Sequence, residues 1–416
     1  MTLNRRDLLA LAAISPALAW LPRAATARGV GGGRPPLPHA PAPDDEAAWE
    51  QIAGEFLIEG LHLNTGTYGA CPIPVLEATI GHMRAFERIT RQAGVDRVAL
   101  RRELETFLGA WPDSVAVVRN TTEAMNIVAA GIALQPGDEV LTTTHEHIGG
   151  RCCWELAAKR HGIVLKTFTP PLDPASEAHL AAAWMEHVTP RTRVLSISHV
   201  LFTTGLVQPV EALVRMAREK GILSVIDGAH PPGMLALNLQ RLDADYYASS
   251  PHKWLLAPKG TGLLVTRPDR LATTWPLIAS GEWHVDDPRK FEHVGTANDS
   301  LLAGLRAAVA FQQGIGREAI EARVHFLAAK LDAALRKLPG VRVVSPRRPE
   351  FRAGMVSFTI DGVPAATVQQ ELGRERIRTR VIAESNLGYV RLSTHLYVLP
   401  RDLDRVVGRL AALARA

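Results

Sequence analysis

Two short stretches carry residue types that can do chemistry together. Asp227-Gly228-Ala229-His230-Pro231-Pro232 closes one apolar run, and Ser249-Ser250-Pro251-His252-Lys253-Trp254 closes the next. An ionised aspartate at a buried strand end calls for a cationic partner. A lysine beside a tryptophan at such an end is partly desolvated, which lowers its pKa and makes it nucleophilic. A surface lysine that snorkels would read the same way in sequence. A third stretch, Arg119-Asn120-Thr121-Thr122-Glu123-Ala124, has capping-box spacing between Asn120 and Glu123. Free N–H groups at such a helix start make an anion site, and two threonine hydroxyls add donors. Taken alone it reads equally as an ordinary helix cap.

Combined, a phosphate cradle, an aspartate, an aromatic-shaped slot and a nucleophilic lysine are what a pyridoxal 5'-phosphate site requires. The lysine would hold the cofactor as a Schiff base, and the aspartate would pair with the pyridinium nitrogen. On these motifs the chain resembles a class V, fold-type I pyridoxal-phosphate enzyme. That group contains cysteine desulfurases, kynureninases and isopenicillin N epimerase-like proteins.

The resemblance covers about residues 50–416, and the 26-residue step from Asp227 to Lys253 is the family's own. It implies Lys253, Asp227 and His147 as catalytic residues, with His147 of Glu146-His147 stacked on the pyridine ring. It implies Thr121, Thr122, Ser250 and His252 as phosphate ligands, and His230 near the ring oxygen. Gly295-Thr296-Ala297-Asn298 resembles a loop whose threonine, here Thr296, reaches the phosphate of a neighbouring subunit, so a homodimer is expected. Arg391, in Val390-Arg391-Leu392-Ser393, stands where the family binds the substrate carboxylate. A large domain over 45–300, with a mostly parallel seven-stranded sheet, and a small α/β domain over 301–416 are implied too. Residues 45–70 are expected to pack on the small domain.

Protein groups decide which bond such a cofactor breaks. A desulfurase needs a persulfide-carrying cysteine shortly before the carboxylate-binding arginine, yet the three cysteines are Cys71, Cys152 and Cys153. Usual cysteine desulfuration is therefore disfavoured. After the run 193–199, where relatives place an asparagine on the ring oxygen, this chain has Phe202-Thr203-Thr204. Either His230 or Thr203 takes over that contact. This loop and the turn at 63–70 resemble the isopenicillin N epimerase-like branch, whose members include epimerases, C–S lyases and enzymes that modify peptide-linked amino acids. The expected activity lies at the amino-bearing carbon of an amino acid or peptide-linked amino acid, by transamination or deamination, or by epimerisation. A β-lyase or C–S lyase is the alternative, and a non-catalytic cofactor-binding protein a remote one. The loops that decide the substrate include residues 275–284 and the 63–71 turn, whose Cys71 is expected to line the mouth of the site. A rival reading takes His145 and His147 on one strand face, with Cys152 and Cys153, as zinc ligands. The irregular spacing argues against it, and no metal is expected.

These groups must be positioned by elements legible as short apolar runs at 114–119, 139–144, 164–168, 193–199, 223–226, 245–249 and 261–266. Amphipathic stretches at 123–134, 154–161 and 210–220 lie between them. Near-continuous apolar strands alternating with helices predict a mostly parallel, doubly covered sheet, with ligands at the carboxyl ends of its strands. A long helical stretch at 301–337 leads to further strands at 342–344, 355–360 and 389–393 and a closing helix at 401–415. At 416 residues and 47% hydrophobic content, disorder and a collagen-like repeat are excluded; three cysteines exclude a disulfide framework. The net charge of +5 is spread without polybasic blocks, so no nucleic-acid partner is indicated.

Arg5-Arg6 before an apolar stretch to about Leu21, then Ala25-Thr26-Ala27, reads as a twin-arginine signal over 1–27. This predicts contact with the twin-arginine export machinery and a periplasmic enzyme, resembling those that tailor peptide siderophores. Residues 28–44, rich in glycine and proline, are expected to be a tether that packs no core.

Overall fold

The computed structural model describes residues 36–88 and 94–415. The signal expected over 1–27 and the first part of the expected tether lie outside them. From Leu37 onward the chain is one compact unit. Its strands in chain order are β1 (Leu61–His62), β2 (Val115–Val118), β3 (Glu139–Thr143), β4 (Val164–Phe168), β5 (Thr192–Ser198), β6 (Leu223–Asp227) and β7 (Tyr246–Ser249). They continue with β8 (Gly262–Thr266), β9 (Val341–Val343), β10 (Met355–Ile360), β11 (Ile377–Arg378), β12 (Arg380–Ile382) and β13 (Tyr389–Ser393).

Seven strands form the main sheet in the order β2-β8-β7-β6-β5-β3-β4. All its neighbours pair in parallel except β8, which runs antiparallel to both β2 and β7. The sheet is apolar on both faces because successive side chains alternate between them. Val225, Tyr246 and Leu264 enter one buried cluster, while Ile226, Tyr247 and Leu263 enter another. What is polar collects at the strand ends: Thr143, Ser198, Asp227 and Ser249 are the last residues of β3, β5, β6 and β7.

A second, antiparallel sheet has the order β12-β13-β10-β9. It packs with Trp49, Ile52 and Phe56 of the N-terminal segment in a common core with Val356 and Phe358. The same segment contributes β1, which pairs in parallel with β11, and Asn64 bridges Ser393 at the end of β13. Residues 61–67 are thereby laid along the edge of the second sheet.

Two expectations change. The helical stretch at 301–337 is two helices, Asp299–Ile315 and Arg317–Leu335, because Gly316 adopts φ +104°, a backbone state open to glycine. The expected tether is docked from Leu37 on: Ala40 donates its amide to Ile315 O (2.7 Å), and Arg323 donates to Pro43 O (2.7 Å). Prolines lack the amide but keep the carbonyl, so a proline-rich strand can still be held as an acceptor.

One close approach ties β8 to the helix Thr121–Gly131. A Cβ on Gly262 would lie 2.3 Å from the Asn120 backbone nitrogen and 2.4 Å from its Cα. Gly262→Ala should therefore destabilise the fold by about 1–3 kcal/mol, the usual cost of overpacking. Urea unfolding followed by tryptophan fluorescence measures it, and an unchanged midpoint would contradict this packing.

Candidate active site

A cavity of about 280 Å³ opens where β5, β6 and β7 end and the loops of the second sheet approach. Its lining brings together Thr121, Thr122, His147, Asp227, His230, Ser250, His252, Lys253 and Arg391, nine of the ten residues singled out from sequence. Thr296 is elsewhere: it is exposed and lines a second cavity. Asn120 lines both cavities.

At one end the N-terminus of the helix Thr121–Gly131 faces the loop after β7. Asn120 Oδ1 caps it by accepting the Glu123 amide (2.9 Å). Glu123 reaches one residue further back than a capping box requires, accepting the Arg119 amide at 2.6 Å and the Arg119 guanidinium at 2.7 Å. Ser250 Oγ accepts the Thr121 amide (3.1 Å) and shares a hydrogen with Thr121 Oγ1 (2.7 Å). His252 turns Nδ1 to Thr261 O (3.1 Å), and burial holds its ring at about 4, hence neutral. Hydroxyls and a helix N-terminus converge here, and the carboxylate of the first turn, Glu123, is engaged by Arg119 and lies off the lining, which suits a dianion.

At the other end Asp227 is buried, and its Oδ1 accepts the Ala229 amide (3.0 Å). Burial pushes its carboxyl up, and the Lys253 charge pulls it back. Burial brings Lys253 down to about 8, against the upward pull of Asp227 and with help from Arg391 and Arg380. His147 caps the helix Ile148–His161, its Nδ1 accepting the Gly149 amide (3.0 Å), and stands edge-on to Phe202 at 5.1 Å. Burial, with Lys253 next, lowers it to about 4. His230 accepts the Trp254 indole N–H on Nδ1 (3.0 Å), and burial keeps the ring neutral. Its proton is therefore on Nε2, where it can be donated.

Glycines keep this space open. A Cβ on Gly149 would lie 2.4 Å from Thr122 Oγ1, and one on Gly150 would lie 2.6 Å from Asp227 Oδ2. A donor-rich anion end, a carboxylate end, a flat histidine and a buried amine fit a phosphorylated pyridine aldehyde.

Arg391 is 1% exposed. It donates from Nη1 to Phe202 O (2.8 Å) and from Nη2 to Asn64 Oδ1 (3.2 Å), and its Nε has no partner. Burial and Arg380 lower its pKa to about 9. Gly66 is needed beside it, since a Cβ there would lie 2.8 Å from Nη2. Arg380 is the Cα partner of Arg391 across β12 and β13; it also lines the cavity, and Glu384 pairs with it at 2.5 Å.

Several sequence readings are corrected. Between His230 and Thr203, His230 lines the cavity, whereas Thr203 Oγ1 is bonded to His145 Nδ1 (2.7 Å). Cys71 lies away from the lining, with its Sγ donated to Ala257 O (3.4 Å). Residues 275–284 do not line the cavity either. His145 and His147 do not share a strand face, because β3 ends at Thr143 and they lie in the turn and cap that follow. Cys153 bonds back to Gly150 O (3.4 Å) within its helix. Among the described residues no group of three His, Cys, Asp or Glu is arranged to hold a metal ion. Sequence reasoning missed Arg380 and Ser198. Arg380 belongs to a three-residue strand too short to read, but Ser198 ends a legible strand, where such residues gather.

Comparison with known proteins adds an independent line. The aminotransferase class-V family profile matches residues 78–406. The chain is 34% identical to the isopenicillin N epimerase of Streptomyces clavuligerus, over 88% of this chain and 98% of that one. It is 29% identical to the probable cysteine desulfurase 2 of Mycobacterium leprae, over 77% and 81%. Its fold is similar to the cystine C–S lyase C-DES in complex with cysteine persulfide (TM-score 0.78, 27% identity, 85% of this chain and 98% of that one). A C-DES variant with glycine covalently linked to its pyridoxal-phosphate cofactor matches equally well (TM-score 0.78, 28% identity, 86% and 98%).

The geometry makes Lys253 an amine that is largely neutral a little above pH 8, where an exposed lysine is still charged. In cofactor-free protein, reductive methylation of Lys253 followed by peptide mass spectrometry should show a rate midpoint near 8. Asp227 favours the ammonium, so Asp227→Asn should move that midpoint lower. A midpoint of 10 or above, in the range of an exposed lysine, would contradict the burial.

Proposed function

The chain belongs to the class-V aminotransferase family of pyridoxal-phosphate-dependent enzymes, and within it we propose an epimerase-type catalyst that moves the proton on the amino-bearing carbon of an amino acid or peptide-linked amino acid. What carries this reading is the absence of cysteine from the cavity lining, in a chain aligned along 98% of an isopenicillin N epimerase. When bound, pyridoxal phosphate supplies the electron sink that acidifies the bonds of that carbon.

The protein's own groups have separable tasks. Thr121, Thr122, Ser250 and His252 would hold the phosphate, and Asp227 the ring nitrogen. His230 would donate Nε2–H to the ring oxygen, and His147 would lie flat against the ring. The Lys253 amine would anchor the cofactor and, once displaced by the substrate amine, take the proton from carbon onto Nζ. A pKa near 8 suits that exchange, because proton loss and return are both accessible near neutrality. Arg391 would fix the substrate carboxylate through its unpartnered Nε and the neighbouring Nη2, as a forked charge-assisted pair. Val200 and Phe202 line the same cavity and would give the reacting carbon an apolar neighbourhood. C–S bond cleavage is the second reading, favoured by the similarity to the cystine C–S lyase C-DES.

Two further parts belong to the same proposal. A second copy of the chain completes the site, bringing the partner copy's Thr296 to the phosphate. Support comes from Trp275, Leu277, Ile278, Trp283 and Val294, large apolar side chains exposed on the segment leading to Thr296. Export to the periplasm by the twin-arginine machinery is supported by Arg5-Arg6, the apolar stretch and Ala25-Thr26-Ala27. Peptide siderophores are accordingly among the substrates to test.

The holoenzyme, incubated in deuterium oxide with amino acids and siderophore peptides, should incorporate one deuterium at the amino-bearing carbon with inversion. Pyruvate or persulfide release would establish the lyase instead, and a keto product with the amine form of the cofactor would establish transamination. Lys253→Ala should slow the exchange about 10²–10⁴-fold, the usual worth of a positioned base. Retained exchange in that variant would overturn the assignment of Lys253. Replacing Arg5 and Arg6 by lysine should hold the enzyme in the cytoplasmic fraction, and Trp283→Glu should shift sedimentation toward the single chain; unaltered export or sedimentation would remove those two parts.

A further inference from the structure

Behind the cofactor cavity is a buried acid that the reaction does not touch. Glu146 is 6% exposed and follows β3 by three residues. Thr143 Oγ1 accepts the His145 amide (3.2 Å) and so donates its own hydrogen to Glu146 Oε1 (2.8 Å). Ser198 Oγ is hydrogen-bonded to the other oxygen, Oε2. The charge that acts on Glu146 is Asp227, which has the same sign. Burial, with that repulsion, raises the carboxyl to about 7, although the two hydroxyls pull it down.

Ser198 joins this acid to the active site. It ends β5, is the Cα partner of Asp227 across β5 and β6, and lines the cavity. Its hydroxyl carries one hydrogen, and that hydrogen can serve only one side. With Glu146 ionised, it is given back to Oε2. With Glu146 protonated, Oε2–H donates to Ser198 Oγ, and the serine hydrogen is released toward the cavity and Asp227. As pH rises the Oε2 proton leaves to solvent and the Ser198 hydrogen takes its place.

We propose that Glu146 is a positioning residue acting through Ser198: its proton sets the direction of the Ser198 hydroxyl, and with it the hydrogen bonding at the ring-binding end of the cavity. The inference goes beyond the choice between proton transfer and C–S cleavage, since it concerns only the hold on the cofactor. The other titratable groups around it are accounted for. His145 and His147 on its own loop are held neutral by burial, as is His199 behind the sheet. Burial raises the Cys153 thiol and the Tyr247 phenol, so both stay protonated. Lys253, beyond Asp227, changes charge near 8 in the cofactor-free protein and is joined to the cofactor in the holoenzyme.

The test is a pH titration of the cofactor's visible absorbance in the holoenzyme, with the cofactor dissociation constant measured by equilibrium dialysis at each end. The wild-type protein should show a step with a midpoint near 7, at the lower end of the titration, where Lys253, joined to the cofactor, has no free amine to contribute. Across the lower step, affinity for pyridoxal phosphate should weaken about 3- to 10-fold, the worth of one hydrogen bond. Glu146→Gln keeps the shape and cannot ionise, so it should lose the lower step and keep the low-pH spectrum and affinity throughout. Ser198→Ala should lose the step while Glu146 remains in place, which a purely structural glutamate would not produce. A wild-type protein without the lower step, or an unmoved midpoint in either variant, overturns the proposal. If the Glu146→Gln protein does not fold, Ser198→Ala decides alone.

Discussion

The central constraint is that Asp227 and Lys253, opposite in sign, are both withdrawn from water at adjacent strand ends without collapsing onto each other. Each charged form is penalised by burial and rescued by the other: the lysine charge lowers the Asp227 pKa, and the aspartate charge raises that of Lys253. Neither penalty is fully repaid, which is why the amine comes down to about 8. A close ion pair would have stabilised the empty protein and spoiled the site, since the amine would stay protonated and the carboxylate engaged. The Ala229 amide occupies Oδ1 of Asp227, and Gly150 leaves the approach to Oδ2 clear. The fold thus leaves the two charges acting on each other, with the open side of Asp227 turned to the shared cavity.

The cations around this pair also need explanation. Arg391, Arg380 and Lys253 all line a cavity in which Asp227 is the acidic lining residue, and Glu384 pairs with Arg380 from outside that lining. Arg391 and Arg380 lower the pKa of Lys253, and Arg391 itself falls to about 9 in consequence of burial and Arg380. Such crowding is unfavourable in the empty protein and becomes favourable when a phosphate and a carboxylate enter. Part of the binding energy of cofactor and substrate is therefore stored as relief of repulsion among residues that β12 and β13 hold in register.

What could be read in the sequence follows the same physics. The main sheet was legible because strands buried on both faces leave nearly uninterrupted apolar runs. There β3, β6 and β8 fall within a residue of the expected 139–144, 223–226 and 261–266, and in the second sheet β10 and β13 agree with 355–360 and 389–393 to the residue. Asp227, Lys253 and Arg391 were legible because a charge at the end of such a run is conspicuous. β1, β11 and β12, of two or three residues each, were not, because so short a pairing has no period to detect. Arg380 was lost with them. Gly316 was visible as a letter but not as a break, since glycine is tolerated inside helices and only the chain's path shows its φ of +104°. Glu146 stood in the motif beside His147, yet its burial and its bond to Ser198 depend on β5 lying next to β3.

The short strands nevertheless govern the active site. Pairing of β1 with β11, and of Asn64 with Ser393, brings a turn near residue 65 against an arginine more than 300 positions later. Arg391 consequently draws its partners from Asn64 in that turn and from Phe202 in the loop after β5. Its two terminal nitrogens are held by groups on separate parts of the chain, leaving Nε to the ligand. Bonds of this kind are lost when any one of the segments moves, since a buried guanidinium cannot turn to water for replacements. Carboxylate recognition in this protein is thus a property of the whole assembled unit, although the residue that performs it was the easiest to find.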